Sequence, residues 1–237
     1  MFKRKQKTVK KNPGRLNILN KNTDFATQEA FKTIRTNLMF STSITGCKKI
    51  LITSSVPDEG KSTVCSNLAI SIAQTGQRVL LIDSDLRAPV QHRFFRAKPL
   101  PGLSEALVGL KQINEVIIPI GQTPLHLIPS GTLPPNPAEL LASAKMDSLL
   151  ETLSADYDYI LLDSPPLNVV SDALNLTPKV HGTVLVVREN NSEHKQVREA
   201  LQSLEFANAK VLGLILNASE KANAKQYSYS AYDKHVD

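Results

Sequence analysis

Short runs of apolar residues alternate with amphipathic stretches along most of the chain. Lys49–Thr53 (KILIT), Arg78–Ile82 (RVLLI), Leu125–Ile128, Tyr159–Leu162 (YILL), Thr183–Val187 (TVLVV) and Val211–Leu216 (VLGLIL) read as strands. Helical spacing predicts helices over Phe25–Phe40, Lys61–Gln74, Pro137–Leu153 and Glu193–Leu204, with short ones at Leu103–Leu107 and Ser171–Leu176. In the first helix Phe31, Ile34 and Leu38 recur at i, i+3 and i+7, one apolar stripe, and Asp24 or Thr23 can cap its start. Strands that are apolar on both faces and separated by helices imply a mostly parallel β-sheet with helices on both faces, an α/β fold.

Composition narrows this further. The chain has 237 residues, 41% hydrophobic and 21% charged, ordinary values for one globular domain. No run approaches the roughly 18 apolar residues of a membrane span. No apolar run follows MFKRKQK, so no secretory signal is expected. Two cysteines, Cys47 and Cys65, make no disulfide framework and favour a reducing cytosol. The five histidines show no metal-ligand spacing.

Charge is uneven. Residues 1–21 hold eight basic residues and no acid, more than the net charge of +6 of the whole chain. Residues 22–237 therefore sum to −2. We expect a basic flexible arm at 1–22, a domain at 23–217 and a flexible tail at 218–237. The slightly acidic body argues against nucleic acid as a partner. The arm could meet anionic lipid, at about 1 kcal/mol per basic residue near the surface, or serve only as a solvated terminus.

Three motifs carry chemistry, and each ends an apolar strand. The loop Ser54–Thr63 (SSVPDEGKST) joins a strand to a helix, the setting of a phosphate-binding loop. Gly60 allows close backbone approach, Lys61 supplies charge for β- and γ-phosphates, and Ser62 offers a hydroxyl to Mg²⁺. Ser55 stands where such loops usually begin with glycine, and Pro57 supplies no N–H. The second motif is Asp83-Ser84-Asp85-Leu86-Arg87, whose two carboxylates are expected to face the loop's pocket, one near Mg²⁺ and one as a base. The third is Asp163 in ILLDSPP, an acid placed to orient Mg²⁺ through its waters.

These motifs, followed by clustered tyrosines at the C-terminus, closely resemble the P-loop bacterial tyrosine kinases (BY-kinases) of capsule and exopolysaccharide synthesis. The resemblance runs from Phe25 to the C-terminus and implies a protein-tyrosine kinase using ATP and Mg²⁺. It names the motifs Walker A, A′ and B. It implies nucleotide binding by Pro57, Asp58, Glu59, Gly60, Lys61, Ser62 and Thr63, with adenine near Asn217. It makes Asp83 the base and gives Lys61 a catalytic role. Ser62, Asp85 and Asp163 then serve the metal. Tyr227, Tyr229 and Tyr232 would be the phosphoacceptors. The family's Glu-x-x-Arg-x-x-Arg oligomerisation motif falls on Glu29, Lys32 and Arg35, where lysine replaces the first arginine and loses its bidentate fork.

A homo-oligomeric ring is implied. So are a membrane activator, a polysaccharide chain-length regulator whose cytosolic tail docks on the kinase, and a cognate tyrosine phosphatase. The expected location is cytoplasmic, at the inner face of the membrane through that partner, as in Gram-positive members. A nucleotide-switched Par- or Min-like ATPase stays open as an alternative. Its extra loop lysine would fall at Val56, and its membrane helix would replace the tyrosines. An iron–sulfur carrier would need a C-x-x-C pair, which is absent. A non-catalytic regulator of polymer export also stays open.

Overall fold

A computed structural model describes residues 18–218. Among these, β1 (Lys48–Ser54), β2 (Val79–Asp83), β3 (Ile118–Pro119), β4 (Leu125–Ile128), β5 (Tyr159–Asp163), β6 (Gly182–Arg188) and β7 (Val211–Asn217) form one sheet. Its order is β3-β4-β2-β5-β1-β6-β7. Every neighbouring pair is parallel except the short edge strand β3, which runs antiparallel to β4.

The central strands are buried on both faces, which is why they read as unbroken apolar runs. Successive residues face opposite layers. Ile50 and Ile52 of β1 pack with α1 (Phe25–Ser41) and α2 (Lys61–Ala73). Leu51 joins the other layer, with α4 (Leu103–Leu107) and α6 (Ala144–Ser154). The helix α8 (His194–Phe206) covers β6 through Ala200 and Leu204, against Leu185. The stripe of α1 is as expected: Phe31 and Leu38 are buried and Ile34 packs against the same core. Asp24 is the cap, its Oδ1 accepting from Thr27 N at 2.9 Å. Helix α2 lies between α1 and the sheet and is buried almost all round, which its Ser and Ala residues permit.

Three expectations need correction. The stretch Pro137–Leu153 is two helices, α5 (Pro137–Ala142) and α6, broken at Ser143. Ser143 has extended backbone at φ −64° and ψ 152°, its hydroxyl donates to Leu140 O at 2.7 Å, and it caps α6 by accepting from Met146 N. A serine that bonds nearby backbone groups competes with the helix, and here it ends one and starts the next. The packed body also begins before residue 23. Leu19 is buried and its N–H donates to Asn67 Oδ1 at 2.7 Å, so the arm cannot extend freely to residue 22. Finally, β3 and a four-residue helix α3 (Gln91–Phe94) were not expected, because both are too short to show a period.

Replacing the helix-starting serine should cost about 1 kcal/mol. Ser143→Ala should lower the urea midpoint of unfolding with an unchanged m value; an unshifted midpoint would remove the capping role.

Candidate active site

The phosphate loop is built from underneath. It leaves β1 at Ser54 and enters α2 at Lys61. The Glu59 side chain turns inward and is fully buried. Its carboxylate accepts from Ser55 Oγ at 2.9 and 3.0 Å and from Val56 N at 2.8 Å, and also from Ser192 Oγ. Ser55, in the usual place of a glycine, thus supplies a hydroxyl that braces the loop. Arg188 donates to Asp58 O at 3.0 Å. Gly60 has φ +85°, and a Cβ there would lie 2.2 Å from Asn217 Nδ2. That amide donates to Glu59 O at 2.8 Å. No side chain caps α2, so its first N–H groups and the positive end of its dipole are left for an anion.

Beside the loop stands a group of carboxylates. Asp83 and Asp163 end β2 and β5 and are register partners. Lys61 Nζ lies 2.9 Å from Asp85 Oδ2, 3.8 Å from Asp163 Oδ1 and 3.1 Å from Ser62 Oγ. Burial opposes its charge, but Asp163 and then Asp85 outweigh burial and hold the ammonium above its ordinary pKa. Asp83 Oδ2 accepts from the backbone N–H of Val90 at 3.1 Å and Gln91 at 2.9 Å. Burial first, then the charge of Asp163, push Asp83 well above its usual range. Burial also raises Asp163, against the pull of Lys61. Asp85 Oδ1 accepts from Ala88 N at 2.9 Å.

One residue joins all three motifs, and the sequence did not mark it. Gln91 is fully buried; its Nε2 donates to Asp163 Oδ2 at 2.8 Å and to Ser62 O at 3.1 Å. Its Oε1 accepts from Ser66 Oγ at 2.6 Å, while its backbone N–H serves Asp83. Nearby, Arg87 makes a bidentate ion pair with buried Asp172, at 2.8 and 3.0 Å.

The cleft over these groups has a volume of about 400 Å³. Asp58, Lys61, Ser62, Thr63, Asp85 and Arg87 form its polar side, with Pro57 and Gly60 of the loop. Asp83 does not line it and is fully buried behind it. A larger concavity of about 610 Å³ lies at the amino ends of β1 and β6, beside Lys49 and Lys179. It is remote from the loop, and its Lys179 is already paired with Asp147.

Among the described residues no three His, Cys, Asp or Glu side chains form a metal cluster by themselves. Mg²⁺ commonly binds one or two carboxylates and completes its shell with phosphate and water. Asp163 Oδ1, which has no hydrogen-bond partner, and the Ser62 hydroxyl are hard oxygen donors of the right kind. The residues fit a hydrated Mg²⁺ that a phosphate helps to hold.

The remaining sequence candidates are dispersed. Asn217 is bonded to the loop backbone, and its Oδ1 accepts from Ala218 N at 2.9 Å. Glu29 and Lys32 pair on the exposed side of α1 at 2.7 Å. Arg35 instead donates to Ser71 O of α2 at 2.6 Å. Cys65 is buried in the core. Tyr227, Tyr229 and Tyr232, like the basic residues of 1–17, lie outside the described residues.

Comparison with known proteins bears on this geometry. A family model described as an AAA domain matches residues 47–211. The chain is 38% identical over 201 residues to the tyrosine-protein kinase YwqD of Bacillus subtilis (strain 168), covering 85% of each. It is 36% identical over 209 residues to the tyrosine-protein kinase CpsD of Streptococcus agalactiae, covering 88% of this chain and 90% of that one. Among solved structures, the kinase domain of the Escherichia coli tyrosine kinase ETK superposes with a TM-score of 0.77 at 40% identity, over 80% of this chain and 74% of that chain. Pyrococcus horikoshii MinD, at 22% identity and a TM-score of 0.61 over 76% of each chain, shares the fold.

Gln91→Leu should leave the buried Asp163 Oδ2 without its donor and cost roughly 2 kcal/mol or more. Urea unfolding checks this; a change near zero would mean that the network does not depend on Gln91.

Proposed function

Because the chain belongs to the bacterial tyrosine-protein kinase family and is a P-loop protein-tyrosine kinase, we propose that it transfers the γ-phosphoryl group of MgATP to tyrosines of its own C-terminal cluster. The observation that carries this is one ammonium, Lys61, held between the phosphate loop and the carboxylates Asp85 and Asp163. An incoming triphosphate would compete for that ammonium and draw it from Asp85 toward the β- and γ-oxygens. The N–H groups at the start of α2 would receive the same phosphates.

The transfer makes a bond from the tyrosine oxygen to the γ-phosphorus and breaks the bond to the ADP oxygen, and the phenolic proton passes to a base. We assign that base to Asp83, whose Oδ1 has no hydrogen-bond partner; because Asp83 lies buried behind the cleft, the assignment requires the turn after β2 to open toward the tyrosine when MgATP binds. Mg²⁺, held through Ser62, Asp85 and Asp163, would neutralise charge on the phosphates. Asn217 would touch adenine while fixing the loop at Glu59.

We further propose that transfer runs between subunits of a ring. Glu29, Lys32 and Arg35 are its contact candidates. The exposed Glu29–Lys32 pair is free to exchange partners at low cost, whereas Arg35 would have to leave Ser71. Phosphorylation adds about −1.5 to −2 charge per tyrosine at pH 7, which would repel the tail from an acidic site and loosen the ring. A membrane activator with a docking cytosolic tail, a cognate phosphatase and a role in capsule or exopolysaccharide export complete the proposal, all resting on the family resemblance. No helix among the described residues is long and apolar enough to cross a membrane, so recruitment to the membrane would fall to the partner.

Lys61→Met should reduce tyrosine phosphorylation by roughly a hundredfold or more, read by phosphotyrosine mass spectrometry; wild-type rates would remove the phosphate-loop assignment. Asp83→Asn should lose transfer by about 10²–10⁴-fold with nucleotide affinity retained, whereas Asp85→Asn should weaken MgATP binding. Equal binding losses in both would make Asp83 a metal-shell group.

Lys61→Met protein mixed with active protein lacking residues 224–237 should acquire phosphate on its tail. If the inactive partner stays unmodified, transfer is within one subunit.

A further inference from the structure

The cleft has a second side that no sequence motif announced. Besides the charged loop, the cleft is lined by Pro165, Pro166, Val169 and Val170 from the segment after β5 and by Ala88 and Val90 from the turn after β2, with the Arg87 guanidinium, paired to Asp172, at their edge. Val169 is 57% exposed, a large aliphatic side chain open to solvent in a site otherwise built of charge. We infer that this apolar slot, between the turns after β2 and β5, seats the phenol ring of the acceptor tyrosine, an inference that rests on the kinase reading above.

Direction is the first reason. In the sheet, β5 and β2 lie on one side of β1, and β6 and β7 on the other. Asn217, at the end of β7, meets the loop from one side. Lys61 reaches the other way, to Asp85 and Asp163. A terminal phosphate at Lys61 therefore faces the β2 and β5 turns, and the rest of the nucleotide trails toward the β7 rim. The Val169–Val170 slot would then lie beyond that phosphate, on the side from which an acceptor oxygen must come.

Chemistry is the second reason. A phosphate gains nothing from an apolar wall, but an aromatic ring does, through burial of its faces. A tyrosine hydroxyl stands one ring's length farther from the backbone than that of serine or threonine. A slot deep enough to bring the phenolic oxygen to the phosphate leaves an aliphatic hydroxyl short of it, and its apolar sides do not compensate a small polar side chain.

Rigidity is the third. The slot's two walls are tied together and to the loop. Asp172 follows Val170 by two residues and Arg87 immediately precedes Ala88, so the bidentate pair ties the turn after β2 to the segment after β5. At the other end, Leu167 N donates to Ser54 O at 2.9 Å and Asn168 N to Ser55 O at 3.1 Å. The wall therefore keeps its distance from the phosphate loop without a ligand, which lowers the ordering cost of binding.

The test uses the full chain and a peptide spanning residues 223–237, with its Tyr→Phe version as a non-reacting competitor. Val169→Ser and Val170→Ser should each raise the KM for the peptide by roughly tenfold. They should weaken inhibition by the Phe peptide in proportion and leave the Kd for ATP, measured by calorimetry, within about twofold. Val169 is exposed, so its variant should fold, and thermal unfolding verifies this for both. An unshifted KM in both folded variants overturns the slot while leaving the kinase reading intact. ATP affinity falling in step with KM overturns it too, because the wall would then serve the nucleotide. Absence of peptide phosphorylation by the wild-type chain with an activator tail present overturns the C-terminal tyrosines as acceptors, and the slot with them.

Discussion

Three carboxylates and one ammonium meet at the carboxyl ends of β2 and β5, and the rest of the site is arranged around that imbalance. Asp83, Asp85 and Asp163 are all nearly or wholly buried, where charge is costly unless compensated. Lys61 offsets part of it. Backbone N–H groups from Val90 and Gln91 stabilise Asp83, and those of Arg87 and Ala88 stabilise Asp85. What is left uncompensated is negative and carries oxygen atoms without partners. Such a site favours a cation, and a cation in turn makes room for a triphosphate. The acidic group and the phosphate loop would repel each other's ligands if separated from Lys61; joined through it, they suit the metal–nucleotide pair of the proposed reaction.

Interior side chains turn this group into a fixed array. Gln91 serves Asp83 by its backbone and Asp163, Ser62 and Ser66 by its side chain. Glu59 plays the corresponding part for the loop, bound to Ser55, Val56 and Ser192. Neither points at the cleft. Both are buried polar groups with their partners supplied, the condition under which such groups rigidify a site instead of weakening it. The parallel sheet makes this possible: it brings the turns after β1, β2 and β5 to one edge, within a side chain's reach of one another.

The same sheet explains what could be read from the sequence. Strands buried on both faces announce themselves as apolar runs, and KILIT, RVLLI and YILL occupy β1, β2 and β5 within a residue or so. Lys61 stood out because GKST joins a strand to a helix, and Asp83, Asp85 and Asp163 because acids at or just after the ends of such runs have no packing role. Gln91 did not, since its importance comes from tertiary partners and its helix has four residues. Val169 and Val170 looked like ordinary aliphatics. Ser143 showed no local sign that its hydroxyl would defeat helical periodicity on both sides. Residues whose meaning is local were legible; those defined by what packs against them were not.

The amide of Asn217 fills the space above Gly60, 158 residues away from the Glu59 carbonyl that it holds. This separation has a bearing on biosynthesis. The phosphate loop is translated early, yet its last supporting contact is among the latest parts of the described chain to be made. At about 5–20 residues per second, a nascent chain would carry residues 54–63 for roughly 8–30 s before Asn217 existed to complete them. A ribosome-bound fragment ending before β7 would have the motif without the amide that holds its Glu59 carbonyl.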